Sequence, residues 1–350
     1  MEALDLRVLR SIPTPIADGL CLRGCKSAAD VLQKPHLLPE VLDELKVSDA
    51  KRKASVMLGA CQREVSDGWG TADSALDLLK QAQIHRPISF PCEGLHCLLG
   101  NSLRPSGSLV EICGLPGTGK TQFCMQLCAA AQMATSTLCG ASDATSFLES
   151  LGETVYIDSE GSFTAERYAQ MCHALLAGRD DACRPGALET MLRRMHVCRT
   201  ADAAEMYSTI KHMENFLQSH RRVRVLVVDS IAFCFRQEFG ENAAHRARVL
   251  TDIAATLRRY GHDHNIVVVL TNHMTTKFDR ANENSAGWLA PALGETWAHQ
   301  PSTQVRFERS AGSPPVGRAT LTKSMEQAVG RSCLFQITEF GIRDVSSQNV

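Results

Sequence analysis

Aromatic side chains are scarce in this 350-residue chain, at 5% of the total, so aliphatic residues must fill its core. A surplus of one charge is missing too: 37 Lys and Arg stand against 38 Asp and Glu, a formal net charge of -1. That excludes a surface coated in positive charge for nucleic acid, although a few placed cations suffice for local phosphate contacts. No run approaches the ~20 apolar residues that cross a bilayer. The opening MEALDLRVLRSIPTP lacks the apolar stretch of a secretory leader. The expectation is a soluble, intracellular protein with no membrane partner. The 14 cysteines include no C-x-x-C pairs at zinc spacing, the nearest approaches being Cys21/Cys25 and Cys124/Cys128. Cys113 and Cys234 lie in apolar runs as small core residues, which points to reduced thiols rather than a disulfide framework.

What is present divides by periodicity. Residues 1–63 carry apolar side chains at helical intervals, broken at Pro13, Pro15, Gly19 and Gly24, and are expected to form a small all-α domain. Within it, 20–30 reads as helix, tight turn, helix, with Ser27 as the N-cap of the second. Residues 64–87 read as a linker carrying a short helix over 75–83. From 88 to 345 strands and helices alternate, and 346–350 form a tail. Strands are expected over 109–113, 154–157, 195–198, 223–228 and 266–270, with helices over 121–134, 165–177, 203–220 and 245–260. Such alternation builds an α/β core, a twisted, mostly parallel sheet with helices on both faces. Later runs at 303–307, 318–321 and 333–338 read as antiparallel or edge strands.

Gly114, Leu115, Pro116, Gly117, Thr118, Gly119, Lys120 and Thr121 fit the pattern G-x-x-x-x-G-K-T, between an expected strand and an expected helix. The glycines let backbone N–H groups turn toward phosphate oxygens, and the helix N-terminus adds positive potential. Lys120 reaches β- and γ-phosphates and Thr121 offers an oxygen to a cation, so the ligand is expected to be ATP with Mg2+. The apolar run ending at Asp229 places a second magnesium carboxylate beside that loop. Glu160, in the polar turn after the next strand, is the candidate base to orient a water against the γ-phosphorus, because active sites of open α/β sheets lie at the carboxyl ends of strands. Asn272 and His273 end another apolar strand and are candidate γ-phosphate sensors.

Together EICGLPGTGKTQ, VYIDSEGSF, VLVVDS and VLTNHM, with PALGETWAH at 291–299 and the helical N-terminal unit, resemble the RecA/RadA-type recombinases of eukaryotes and archaea. Within that family TNHMTTKFDR, LAPALGETWAH, LTKS, CLFQIT and FRQEFG look most like the C-type paralogue of the eukaryotic recombinase. The resemblance implies a RecA-like P-loop ATPase core behind a helix-hairpin-helix-like N-terminal domain. It implies a slow DNA-dependent ATPase in homologous recombination and double-strand-break repair, bound to single-stranded or branched DNA. Its partners would be other recombinase paralogues, in a hetero-oligomer, and the main recombinase. A self-polymerising strand-exchange recombinase and a RecA-fold helicase motor stand as alternatives; the short chain speaks against the second.

Residue by residue, the resemblance makes Lys120 the phosphate lysine, Thr121 and Asp229 the magnesium ligands and Glu160 the catalytic glutamate. His273 stands where the main recombinases carry a glutamine that couples γ-phosphate to DNA. Two DNA-binding loops map to 236–246 and 275–290, bringing Arg236, His245 and Arg246, then Lys277 and Arg280. Lys323, in LTKS, would touch the γ-phosphate of a neighbouring subunit. Trp69, in Trp69-Gly70-Thr71-Ala72, would be a linker anchor in a neighbour's pocket, and Lys51, Arg52 and Lys53 would add charge to the N-terminal domain. The location implied is the nucleus, with some protein in the cytoplasm. Since 344–350 holds no Lys or Arg cluster, import would rest on another signal or on a partner.

Overall fold

The computed structural model describes residues 6, 12–47, 50–65, 74–76, 79, 86–139, 144–177, 186–237, 243–277, 287–310, 312 and 315–345. The chain divides into two compact units, Met1–Gln83 and Ile84–Val350. The helix expected over 75–83 lies largely outside the described residues, as does Trp69.

The first unit is all-α: α1 (Thr14–Leu22), α2 (Ala28–Gln33), α3 (Leu37–Glu44) and α4 (Ala50–Val65). Leu20, Val31, Leu38, Val41, Leu42 and Cys61 make its buried centre. Ser27 starts α2 as its spacing predicts. Its hydroxyl accepts from the Asp30 N–H at 3.3 Å, and the Asp30 carboxylate accepts from the Ser27 N–H at 2.9 Å. This reciprocal box satisfies two N–H groups that a helix start otherwise leaves unpaired. On α4 the side chains of Lys51 and Arg52 lie outside the described residues, while Lys53 is exposed.

The second unit is built on one sheet. Its strands are β1 (Leu109–Gly114), β2 (Glu153–Asp158), β3 (Met195–Arg199), β4 (Val223–Asp229), β5 (Val267–Lys277), β6 (Trp288–Pro291), β7 (Thr303–Arg309), β8 (Gly317–Lys323), β9 (Ser332–Thr338) and β10 (Gly341–Asp344). They run in the order β10-β9-β8-β7-β1-β5-β4-β2-β3, with β6 alongside β5. The five strands from β1 to β3 in that order, and β7 against β1, are parallel; β8, β9 and β10 are antiparallel. The helices are α5 (Glu93–Leu99), α6 (Lys120–Cys139), α7 (Ala144–Ser150), α8 (Ala165–Ala177), α9 (Ala187–Arg193), α10 (Ala203–Ser219), α11 (Ile231–Gln237), α12 (Ala243–Asp263) and α13 (Gly294–Ala298).

Period-two alternation explains the two layers. Val225 and Val227 of β4 pack with α6, α8 and α9, whereas Leu226 and Val228 pack with α10, α11 and α12. Both faces are covered, so central strands read as continuous apolar runs rather than alternating ones. Two expectations need adjustment. Of the two readings of the 303–307 run, antiparallel holds against β8 and edge does not, because β7 also pairs parallel with β1. And β5 does not stop at 270, because Met274 to Lys277 pair antiparallel with β6, which supplies ladder partners that periodicity along one segment cannot reveal.

Candidate nucleotide site

The parallel strands deliver their carboxyl ends side by side. Asp158 of β2 lies in register with Asp229 of β4, and Gly114 of β1 with His273 of β5. The 114–121 loop joins β1 to the first turn of α6. Gly117 and Gly119 hold φ of 77° and 99°, a left-handed backbone that side chains resist. A Cβ on Gly119 would also come within 2.8 Å of Ile337. Lys120 is 8% exposed, and its ammonium donates to the carbonyls of Gly114 at 3.0 Å and Leu115 at 3.1 Å. Burial holds its pKa below the usual lysine value, against the opposing pull of Asp229 and Glu160.

Asp229 is the centre of the polar cluster. Its Oδ2 accepts from the Thr121 hydroxyl at 2.7 Å and from the buried Tyr156 hydroxyl at 2.5 Å, with Ser162 Oγ at 3.5 Å. Its Oδ1 accepts from the Thr271 hydroxyl. Carboxylate and hydroxyl oxygens are the donors a hard cation such as Mg2+ takes. The residues present therefore fit magnesium at Thr121 and Asp229.

The 159–163 turn is fixed from both sides. Asp158 accepts from the N–H groups of Ser162 at 3.1 Å and Phe163 at 3.2 Å. Ser159 Oγ donates to the Ser230 carbonyl at 2.8 Å and accepts from the Ser230 N–H at 2.9 Å. Glu160 projects from this turn, and its Oε1 lies 2.5 Å from His273 Nε2. The two side chains are 26% and 17% exposed. Burial alone would raise the Glu160 pKa. Hydrogen bonds from His273 and Ser230, with the charges of His273 and Lys120, outweigh it and hold the carboxyl below its usual range.

Alternation along β5 separates the two sensors proposed from sequence. Thr271 and His273 face Asp229 and Glu160, while Asn272 points to the opposite side. The Asn272 amide is fully buried and donates to Glu111 Oε1 at 2.8 Å and to the Ala292 carbonyl at 3.1 Å. It is therefore committed away from the loop, and a γ-phosphate role for it is not supported by its contacts.

Sequence reading missed Tyr156, Thr271, Ser162 and, above all, Glu111. This carboxylate, fully buried in β1, accepts from Asn272, from Trp297 Nε1 at 2.6 Å and from Gln304 Nε2 at 2.6 Å. It ties β1 to β5, α13 and β7 directly beneath the loop. The clue was a lone Glu inside an otherwise apolar strand. Glu111→Ala takes the acceptor from the buried Trp297 Nε1 and the half-buried Gln304 and leaves the Asn272 amide with the Ala292 carbonyl alone, so a loss of about 3 kcal/mol is expected. Thermal denaturation should show Tm falling by roughly 5–10 °C; an unchanged Tm would mean the network carries no net stability.

Other candidates are more scattered. Lys323 donates to the carbonyls of Ala298 at 2.9 Å and His299 at 3.3 Å, at the end of α13. Burial lowers its pKa from the usual value. His245 and Arg246 stand in the first turn of α12, and the Arg246 side chain lines a cavity of about 140 Å³ with Trp297 and Gln300. Arg236 and Lys277 close α11 and β5, but their side chains, and Arg280 entirely, lie outside the described residues. Of the 275–290 loop, the two ends form the β5–β6 ribbon. Arg309 reaches the loop unforeseen, donating to the Gly117 carbonyl at 3.2 Å.

The Rad51 family model matches residues 87–345. The DNA repair protein RAD51 homolog 3 of Cricetulus griseus is 33% identical over 289 residues, covering 79% of this chain and 74% of that protein. Its namesake in Dictyostelium discoideum is 30% identical, covering 78% and 69%. The DNA repair protein RAD51 homolog 4 of Mus musculus is 28% identical over 344 residues, covering 90% and 95%.

Proposed function

The chain belongs to the Rad51 family, and on that premise we propose that it is an ATP-dependent, DNA-binding recombinase paralogue in homologous recombination and double-strand-break repair. The observation that carries this reading is the convergence of Lys120, Thr121, Glu160 and Asp229 at adjoining strand ends. Proteins of this family are generally ATPases that act on DNA. We assign 1–63 to a helix-hairpin-helix-like domain, 64–87 to the linker and 88–345 to the ATPase core.

In this reading the 114–121 backbone and Lys120 hold the triphosphate, and Thr121 and Asp229 hold Mg2+. The metal supplies charge neutralisation at the β- and γ-phosphates. Glu160 orients and deprotonates the attacking water. His273 serves as its positioning partner, a change from a direct γ-phosphate sensor. A base whose pKa is held low accepts a proton weakly, so turnover is slow and ATP binding matters more than hydrolysis. Partners are other paralogues in a hetero-oligomer, the main recombinase, and single-stranded or branched DNA. Arg236, Arg246, Lys277 and Arg280 supply positive charge for the DNA phosphates, Lys323 closes over a neighbour's nucleotide, and Trp69 anchors the linker. The site of action is nuclear, with a cytoplasmic pool; no helix among the described residues is long and apolar enough to cross a membrane.

Co-purification from cells followed by identification of the accompanying chains tests the assignment. Recovery of other Rad51-family chains is expected. Extended homofilaments on single-stranded DNA with robust strand exchange would instead mark a self-sufficient recombinase. The His273 role has its own test. His273→Ala removes the strongest influence lowering the Glu160 pKa and leaves burial, which raises it. The Glu160 pKa then rises, and the acid limb of kcat moves to higher pH. Coincident pH–rate profiles for the two proteins would show that His273 does not set the base.

A further inference from the structure

A second cluster lies on the opposite edge of the parallel sheet from the nucleotide loop, at the strands' amino ends. Glu153 opens β2, His196 is the second residue of β3, and His220 caps α10. Each brings one ligand atom to within 4.8 Å of the other two. None of them serves the nucleotide site. We propose that Glu153, His196 and His220 form a binding site for a divalent transition metal of the zinc class.

The imidazole geometry is the first argument. His220 stacks on Phe216 with centroids 3.9 Å apart and rings within 10° of parallel. Its Nδ1 lies 3.0 Å from the Phe216 carbonyl oxygen and 3.1 Å from Ser219 Oγ; in the tautomer that donates Nδ1–H to the carbonyl, Nε2 presents a lone pair. A ligating histidine is commonly fixed in this way, by donating its other N–H to a backbone carbonyl. His196 stands edge-on to both rings, with centroids 5.0 Å from Phe216 and 5.1 Å from His220. Its Nε2 is 2.9 Å from Glu153 Oε2, so the two already face one another. Exposure of 31% for His196 and 16% for Glu153 leaves a path for an ion.

Donor chemistry selects the class. Two imidazoles and one carboxylate suit Zn2+, with water in the fourth position; Mg2+ and Ca2+ prefer oxygen alone. Two cations near this cluster, Arg194 and Arg222, hold their guanidiniums on the carbonyls of Leu151 and Glu149. A bound ion would tie three separate segments together and pin the edge strand β3 to the end of α10.

The test is a Co2+ titration of chelator-treated full-length protein, followed by visible absorption. One ion per chain with d–d bands and no thiolate band is expected. His196→Ala and His220→Gln should each weaken binding by roughly 100-fold, while Thr121→Ala, altered only at the nucleotide site, should retain it. Glu153→Gln, isosteric, serves if a histidine variant does not fold; retained ATP affinity reports folding in the Glu153, His196 and His220 variants, and circular dichroism does so in Thr121→Ala. Zn2+ should displace Co2+ and raise the Tm of wild type and of Thr121→Ala by roughly 5 °C or more, with no rise in the His196 and His220 variants. Equal Co2+ binding by wild type and the His196 and His220 variants, a thiolate-to-cobalt band, or no binding at micromolar Co2+ would overturn the proposal.

Discussion

Lys120→Ala abolishes ATP binding at ordinary nucleotide concentrations. The ammonium is buried at the mouth of the loop and already held by two carbonyls, of Gly114 and Leu115. Its aim is thus set before a phosphate arrives, and little ordering entropy remains to oppose binding. Among the described residues Arg309 also touches the loop, donating to the Gly117 carbonyl, and it is exposed. An exposed guanidinium there does not replace a desolvated ammonium. Losing a charge-assisted contact to phosphate costs about 3 kcal/mol, so affinity should fall by more than ~100-fold. Calorimetric titration with Mg2+ present measures it, and circular dichroism confirms that the variant is folded. Unchanged affinity in a folded variant would remove the loop from nucleotide binding.

Glu160→Gln has the second large effect, and it separates chemistry from binding. The amide is isosteric, keeps a hydrogen bond to His273 and leaves the Asp158- and Ser230-stitched turn intact. It cannot take a proton. Turnover should fall by about 10²–10⁴-fold while ATP affinity stays within about threefold of wild type. Single-turnover hydrolysis beside a binding titration reads both quantities. Retained turnover would move the base elsewhere; joint loss of binding and turnover would make Glu160 a binding group.

The loop, the Asp229 strand and the Glu160 turn were legible because each is local. A glycine pattern, an apolar run and a polar break all announce themselves within ten residues. Ser27 was legible for the same reason, its partner Asp30 lying one turn ahead. Glu111 was not, because its meaning resides in Asn272, Trp297 and Gln304, which only the folded sheet brings to it. Asn272 and His273 look equivalent in sequence. They diverge because neighbours on a strand face opposite sides, one into the Glu111 network and the other onto Glu160. The interior position of β7 was hidden for a related reason, since pairing order is a property of the sheet and not of the strand.

We propose that ATP held in the 114–121 loop governs assembly with partner subunits. The most direct test measures the mass of the complex between this chain and its co-purifying partners, with Mg2+ and ATP, with Mg2+ alone, and with Lys120→Ala. A heteromer that forms or tightens with ATP is expected, with a folded variant that no longer responds. The same heteromer at the same concentration under all three conditions would contradict it.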